Sequence, residues 1–521
     1  MATYDLLQRI RELNRIGIAL SAERDAIKLL ELILTSARRL SGADAGSLYL
    51  VKQRQLEFAL VQNQQLGIHY GGYGEPLSDK FKPLPMYNAD GMPNDNMVAV
   101  NCVISERTIA IADAYATVGY DFSGTHAFDQ NTGYRTRSVL AVPLKNHENE
   151  VIGALQLINK LDTNGHTVPF VAEDIELTES LASQAAIALT NQRLVADLHH
   201  LFDSFTEVIA NAIDAKSPQT GAHCRRVPEL TLMIADAANG ARYPGLEQFR
   251  MSADERYELK TAAWMHDCGK IVTPPHVVEK SRKLETISDR MDTVEARFAA
   301  LAKQPEWARQ KQQLLDDLAF LHEVNKGGET LSDEAVARIE EIAQYPYCDV
   351  HGEYQPLLNE QEVAMLSIRR GTLTADERQI MQDHMVHTIN MLEQLPFPKH
   401  LARVPEYAAG HHEHMDGKGY PRGLTREQMS IPARMMGIAD VFEALTAPDR
   451  TYKKAMSISQ SLNIMGEMVE SNHLDPDLFK LFVDKQVYLA YAKKFLKAEQ
   501  IDEPDLLSLP GYSFQSDSKK P

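Results

Sequence analysis

The chain has 521 residues, which at roughly 100–200 residues per domain sets an expectation of about three units. A net charge of −18 argues against non-specific nucleic-acid binding, which needs a broad cationic surface, but leaves room for one small anionic substrate in a local cationic pocket. With 44% apolar and 24% charged residues the composition is that of a globular protein, and no apolar run approaches the roughly 18–20 residues that span a bilayer.

Met1-Ala2-Thr3-Tyr4-Asp5 lacks the basic segment and apolar core of a signal peptide. Cys102, Cys224, Cys268 and Cys348 are scattered and form no CxxC. Both features predict a cytoplasmic protein with reduced thiols, away from membranes. Next come Ile10, Leu13, Ile16, Ile18 and Leu20, then Ile27 to Leu34, which reads as an amphipathic helix. Ser47–Val51, Ser138–Leu144 and Val151–Ile158 are β-rich, and the last two flank the polar turn Lys145–Glu150 as a hairpin. Helices around a sheet predict an α+β sensor-type module over 1–172. The loop from about Gln65 to Pro93, rich in Gly, Pro and Asn, reads as a lid or as plain surface.

From Glu173 the pattern is helical for about forty residues. Leu194, Leu198, Leu201, Phe205 and Val208 repeat at spacings of 4, 3, 4 and 3, a short heptad seam. A helix this long between two modules has little else to bury that stripe against, so 173–212 is expected to connect the domains and pair two copies into a homodimer. Residues 213–508 read as almost wholly helical, with breaks near Pro274-Pro275, Gly327-Gly328 and Gly417–Gly423. Within them, 283–370 reads as an inserted helical hairpin. Leu284, Ile287, Met291, Val294, Phe298 and Leu301 form one stripe, and Leu314, Leu318 and Leu321 another. That insertion would cover the site, contact a partner or extend the dimer. The tail 509–521 is polar and expected to be flexible.

Histidine is concentrated where chemistry is expected: His223, His266-Asp267, His384, His411-His412-Glu413, and then Asp440. Imidazole nitrogen with carboxylate oxygen suits Fe, Mn or Zn, whereas Mg or Ca prefers oxygen alone. Adjacent His266 and Asp267 serve one centre best if the carboxylate bridges two ions, and ions about 3.5–4 Å apart favour phosphodiester hydrolysis by activating a shared water. His276, His322, His351, His387 and His414 are read as structural or surface residues.

The segments His266-Asp267-Cys268-Gly269-Lys270, His411-His412-Glu413-His414-Met415-Asp416-Gly417-Lys418-Gly419-Tyr420-Pro421, Thr220–Val227 and Ala439–Thr446 resemble those of the HD-GYP phosphodiesterases, a branch of the HD metallohydrolases. The resemblance covers roughly 205–500 apart from the insertion. It implies an all-α catalytic domain that hydrolyses cyclic di-GMP to pGpG, and often on to GMP. It further implies that His223, His266, Asp267 and Asp440 hold one metal and that Asp267, His384, His411 and His412 hold the second. Lys270 would steady a phosphate oxygen, and Arg450 and Lys453 would grip the substrate phosphates. Tyr420 would stack on a base or pack, and Glu413 would orient a ligand or cap structure. Some relatives hold a third metal through a Glu at the position of Gln219; a neutral amide there predicts two ions, Fe or Mn.

In the first module, Phe128–Leu140, Asn159-Lys160, Phe170 and Asp174 resemble a GAF domain of the cyclic-nucleotide-phosphodiesterase type. That family supports a ligand pocket through a Lys–Asp pair. Here Ile175 follows Asp174, so Lys160 and Asp174 are either a pocket support or a structural pair, and the effector is open. The combined expectation is a cytoplasmic cyclic di-GMP phosphodiesterase regulated by its GAF domain. The alternatives are a cyclic GMP-AMP phosphodiesterase, or a non-catalytic module that binds the dinucleotide or a diguanylate cyclase. HD nucleotidases lack the Gly-Tyr-Pro stretch.

Overall fold

The computed structural model describes residues 2–77, 81–216, 223–307, 309–328, 330–447 and 455–512. Gln219, Arg450, Lys453 and the tail from 513 onward lie outside the described residues. The chain divides into two compact units, Met1–Leu201 and Phe202–Pro521. None of the described helices is long and apolar enough to cross a membrane.

The first unit begins with α1 (Ala2–Ala22) and α2 (Ala26–Ser41). The Asp25 carboxylate caps α2 by accepting from the amides of Ile27 and Lys28, and Gly42 ends it with φ 71°, the left-handed conformation that glycine adopts without strain. Strands β1 (Ala43–Lys52), β2 (Gln55–Asn63), β3 (Ile68–Gly71), β4 (Leu84–Pro85), β5 (Ile109–Ile111), β6 (Val139–Lys145), β7 (Val151–Leu161) and β8 (Thr167–Val168) form one antiparallel sheet of order β3-β2-β1-β7-β6-β5. In it β4 pairs with β2 and β8 with β7. The expected β6–β7 hairpin is present, with Val142 opposite Leu155. Alternate residues face opposite sides. Leu140, Val142 and Leu144 pack with Leu29, Ile33 and Leu181 on one face, while Val139 and Ala141 pack with Cys102 and Phe122 on the other. Helix α3 (Val98–Ser105) belongs to that second side, and α4 (Ser123–Thr132) follows directly on Phe122. The expected loop from 65 to 93 contains β3 and β4, which extend the sheet edge.

The long helix, α5, runs over Ala172–Lys216, somewhat past the expected 173–212. Leu194, Leu198, Leu201, Phe205 and Val208 are each more than half exposed, so the heptad stripe lies on its surface.

In the second unit, α6 (His223–Ala238), α7 (Ala253–Met265), α8 (Pro275–Val278), α9 (Met291–Leu301), α10 (Lys311–Asn325), α11 (Asp333–Ala343), α12 (Glu360–Leu366), α13 (Ala375–Glu393), α14 (Val404–Ala409), α15 (Ile431–Thr446), α16 (Ile458–Glu470), α17 (Pro476–Asp484) and α18 (Val487–Phe495) follow one another. The main core joins Val227, Leu230 and Ile234 of α6 to Leu259 and Ala262 of α7, Phe442 of α15, Phe482 of α17 and Tyr491 of α18. Leu509 is buried in it, so the packed chain reaches beyond the expected tail boundary.

The insertion has its own core, Met291, Val294, Phe298 and Leu301 against Leu314, Leu321, Ile339, Leu357 and Leu366. The expected helix pair is α9 and α10, and α11, α12 and the strand pair Pro346–Cys348 with Tyr354–Pro356 enlarge it. Ile287 departs from its expected stripe and is 96% exposed. The Asp289 carboxylate accepts from the Met291 amide, so the helix starts only there and the stripe's first turn is not helical.

Lys283 sits at 1% exposure, its Nζ donating to the carbonyls of Leu366 (2.9 Å) and Ile368 (2.8 Å). Burial pushes its ammonium down from 10.5 to about 8. Between those values the unfolded chain binds a proton that the folded chain has released, so stability rises with pH. We expect the unfolding free energy of the native chain to gain about 3 kcal/mol on Lys283→Met between pH 7.5 and 10.5, followed by denaturant unfolding.

Candidate metal centre

The elements deliver the expected side chains from five places. His223 opens α6, and His266 and Asp267 follow the last turn of α7. Asp267 leads into a 3₁₀ turn, Cys268–Ile271, which carries Lys270. His384 lies within α13, His411 and His412 follow α14, and Asp440 lies within α15. Gly269 allows the turn to lie against α13: a Cβ there would meet the His384 carbonyl oxygen at 2.0 Å and the Thr388 nitrogen at 2.5 Å. Its amide instead donates to Thr388 Oγ1 at 2.9 Å.

Each of four histidines is held by one ring nitrogen. His266 Nδ1 donates to the Ala263 carbonyl and His411 Nδ1 to the Ala408 carbonyl, both at 2.7 Å. His384 Nδ1 donates to the Met381 carbonyl, and His223 Nδ1 meets the Glu443 carboxylate. A carbonyl can only accept, so the contacts of His266, His384 and His411 fix the proton on Nδ1 and leave the lone pair on Nε2. The Nε2 atoms converge on Asp267. His384 Nε2 lies 3.2 Å from Oδ1, while His266 Nε2 and His223 Nε2 lie 3.2 Å and 3.4 Å from Oδ2. Asp440 Oδ1 lies 3.2 Å from His223 Nε2.

Two ligand groups result. Asp267, His384, His411 and His412 offer donor atoms within 4.8 Å of one another, as do His223, His266 and Asp267. Asp267 belongs to both. Asp267 Oδ1, His384 Nε2 and His411 Nε2 are buried with no hydrogen-bond partner. Buried polar atoms are rarely left so, and nitrogen and oxygen donors turned inward fit a pair of transition-metal ions.

The electrostatics agree with that fit. Burial pushes the His411 imidazole down to about 4, helped by His266, and holds His412 well below the usual histidine range, helped by His411. Both rings are therefore neutral near pH 7, with a nitrogen free to meet a cation. Burial would also lower His223, but Glu443, Asp267 and Asp440 outweigh it and hold that ring well above the usual value. Burial would raise Asp267, yet Lys270 and the neighbouring histidines hold it well below the carboxylate range. The same negative field that retains a proton on His223 attracts a metal cation.

Comparison with known proteins separates the two halves. A family model for the GAF domain matches residues 25–189, and one for the HD domain matches residues 361–478. The chain carries a GAF domain and an HD domain. The HD match includes His384, His411, His412 and Asp440. A 3′3′-cGAMP-specific phosphodiesterase of Vibrio cholerae is 45% identical over 80 residues, 15% of this chain and 18% of that protein. A cyclic di-GMP phosphodiesterase of Pseudomonas aeruginosa is 38% identical over 113 residues, 22% of this chain and 26% of that protein. A second Vibrio cholerae 3′3′-cGAMP-specific phosphodiesterase is 23% identical over 314 residues, 60% of this chain and 40% of that protein. The chain thus spans less than half the length of these relatives.

Around the HD-domain centre, Tyr420 stacks on His412 with ring centroids 4.8 Å apart. Among the described residues, no hydrogen bond joins the Glu413 carboxylate to a histidine. Its carboxylate accepts from the amides of Arg422 (2.8 Å) and Leu424 (2.9 Å) and so folds the Gly-Tyr-Pro loop back. Gly419 is required there, since a Cβ would lie 2.4 Å from both Glu413 Cα and the His414 nitrogen. Lys270 Nζ pairs with Asp267 Oδ2. Glu443, given no role from sequence, bridges His223 Nδ1 and Arg226 Nε (2.6 Å to the latter). Its spacing of one helical turn from Asp440 is the signal that could have found it.

In the GAF domain, Lys160 Nζ pairs with Asp174, which is wholly buried and also accepts from the Val171 amide at 2.9 Å. The pair therefore ties β7 to the first turn of α5.

Proposed function

We propose that the chain hydrolyses a phosphodiester bond of a cyclic dinucleotide, with cyclic di-GMP as the first reading. The convergence of unpartnered histidine Nε2 atoms and the Asp267 carboxylate on one buried point carries that reading. His223, His266, Asp267 and Asp440 would hold one divalent transition ion, Fe or Mn, and Asp267, His384, His411 and His412 the other. When bound, such ions lower the pKa of water and take up charge on phosphate oxygens.

The reaction adds water across one P–O3′ bond. A P–O bond forms to the water oxygen, the P–O3′ bond breaks, and the ribose 3′ oxygen takes a proton. Lys270 is kept protonated: burial would lower it, but Asp267 and Asp440 raise it. Its ammonium supplies a fixed positive charge beside Asp267 for a phosphate oxygen. Tyr420, packed on His412, would border the substrate, and Arg450 and Lys453 would hold its phosphates. The GAF domain would regulate the centre, and the exposed α5 stripe would pair two copies.

The names of the Vibrio cholerae relatives favour a second reading, cyclic GMP-AMP as substrate. The metal ligands meet only phosphate, so base preference rests elsewhere. Incubation of the Mn²⁺- or Fe²⁺-loaded chain with both dinucleotides in parallel separates the readings by product. Linear pGpG from cyclic di-GMP supports the first, a linear GMP-AMP product alone supports the second, and no product from either overturns both.

A further inference from the structure

Lys216 is the last residue of α5. Its Nζ donates to three main-chain carbonyls: Lys270 at 3.3 Å, Ile271, and Thr273 at 2.7 Å. A lysine ammonium has three donors and no acceptor, so these carbonyls use its full capacity. The acceptors do not belong to the lysine's own helix, as they would in an ordinary helix terminus. They lie 54, 55 and 57 residues along the chain, in and just after the 3₁₀ turn that carries Lys270.

That turn is gripped from its other side by α13. Gly269 donates to Thr388 Oγ1, and its missing side chain lets the turn sit on the His384 carbonyl. The turn's internal bonds are short-range, Lys270 N to Asp267 O (2.9 Å), Val272 N to Gly269 O (3.1 Å) and Thr273 N to Lys270 O (3.2 Å). A 3₁₀ turn of this length has poor hydrogen-bond geometry and holds its shape through outside contacts. Lys216 supplies one at the carbonyl end, where partial negative charge accumulates. Only seven positions separate it from His223 in sequence.

We infer that Lys216 is a positioning residue for the reaction: its three carbonyl contacts fix the turn bearing Asp267 and Lys270 against His384. Helix α5 begins within the GAF match and ends at this lysine. The catalytic part of the inference rests on the proposed phosphodiesterase activity; the clamp itself does not.

The test uses the full metal-loaded chain with Lys216→Met and Lys216→Arg. In the Met variant, metal content is expected to match the native chain. Amide hydrogen exchange at Lys270, Val272 and Thr273 is expected to quicken roughly tenfold or more, and kcat to fall by a factor of about 10–100. Lys216→Arg, which keeps a donor-rich cation, is expected to recover most of both. Unchanged exchange at those three amides in the Met variant overturns the clamp. Quickened exchange with kcat within twofold of native overturns its catalytic role. If the native chain turns over neither dinucleotide, the proposed function fails while the exchange measurement still decides the clamp.

Discussion

Asp267→Ala is expected to lower turnover of a cyclic dinucleotide by roughly 10³-fold or more and to reduce bound metal from two ions to one or none. The reason is position. Asp267 is shared by both ligand groups, with Oδ1 toward His384 and Oδ2 toward His223 and His266. No other described residue reaches both sides in this way. Removing it also takes the anionic partner from Lys270, so the cation proposed to meet the phosphate loses its fixed position as well. Elemental analysis and steady-state kinetics on the same preparation check both parts. Asp267→Asn separates charge from shape. It preserves the packing of a side chain that is almost wholly buried but offers a neutral amide, and it is expected to lose metal nearly as completely as the alanine variant. Native-like turnover in either variant would contradict the assignment.

Glu443→Gln is expected to weaken metal binding at the His223 side by about 10–100-fold and to destabilise the metal-free chain by about 3 kcal/mol. Glu443 is 1% exposed and accepts from two buried groups, His223 and Arg226. Burial would raise its carboxyl, but His223 and Arg226 outweigh that and hold it below the usual range. A carboxyl lowered by folding contributes stability that is present above its unfolded value and lost as pH falls through its folded value. The native chain should therefore exceed the glutamine variant at neutral pH and converge with it in acid. Denaturant unfolding across pH tests the stability, and competition with a chelator tests the affinity. A pH-independent difference would contradict this account of Glu443.

The adjacency of His266 to Asp267, and of His411 to His412, made most of the centre legible in sequence. Neighbouring candidate ligands announce themselves, and Gly269 and Lys270 frame the first pair. The bond that holds His223, and the contacts of Lys216, were not legible, because they close over long separations. Glu443 meets His223 across 220 positions, and Lys216 meets its carbonyls across 54 to 57. Glu413 remained open between two roles until the return of the Gly-Tyr-Pro loop brought the amides of Arg422 and Leu424 onto it.

The fold shows the same division between local and distant information. Two β-rich runs flanking the polar turn Lys145–Glu150 were enough to place a hairpin, and the spacing of Met291 to Leu301 was enough to place a helix. The β1–β2 hairpin escaped notice because its two-residue turn, Gln53-Arg54, has positive φ at both positions (45° and 64°) without the usual Asn-Gly. The insertion grew beyond a helix pair because α11, short α12 and the segment between them join its core only through tertiary packing.

The direct measurement of the central claim is anomalous X-ray scattering at the Mn or Fe edge from crystals of the chain purified with its metal retained. The account predicts two peaks about 3.5–4 Å apart, both touching Asp267, one also against His223, His266 and Asp440 and the other against His384, His411 and His412. Absence of peaks among these side chains, a single peak remote from Asp267, or a third ion at the centre would contradict it.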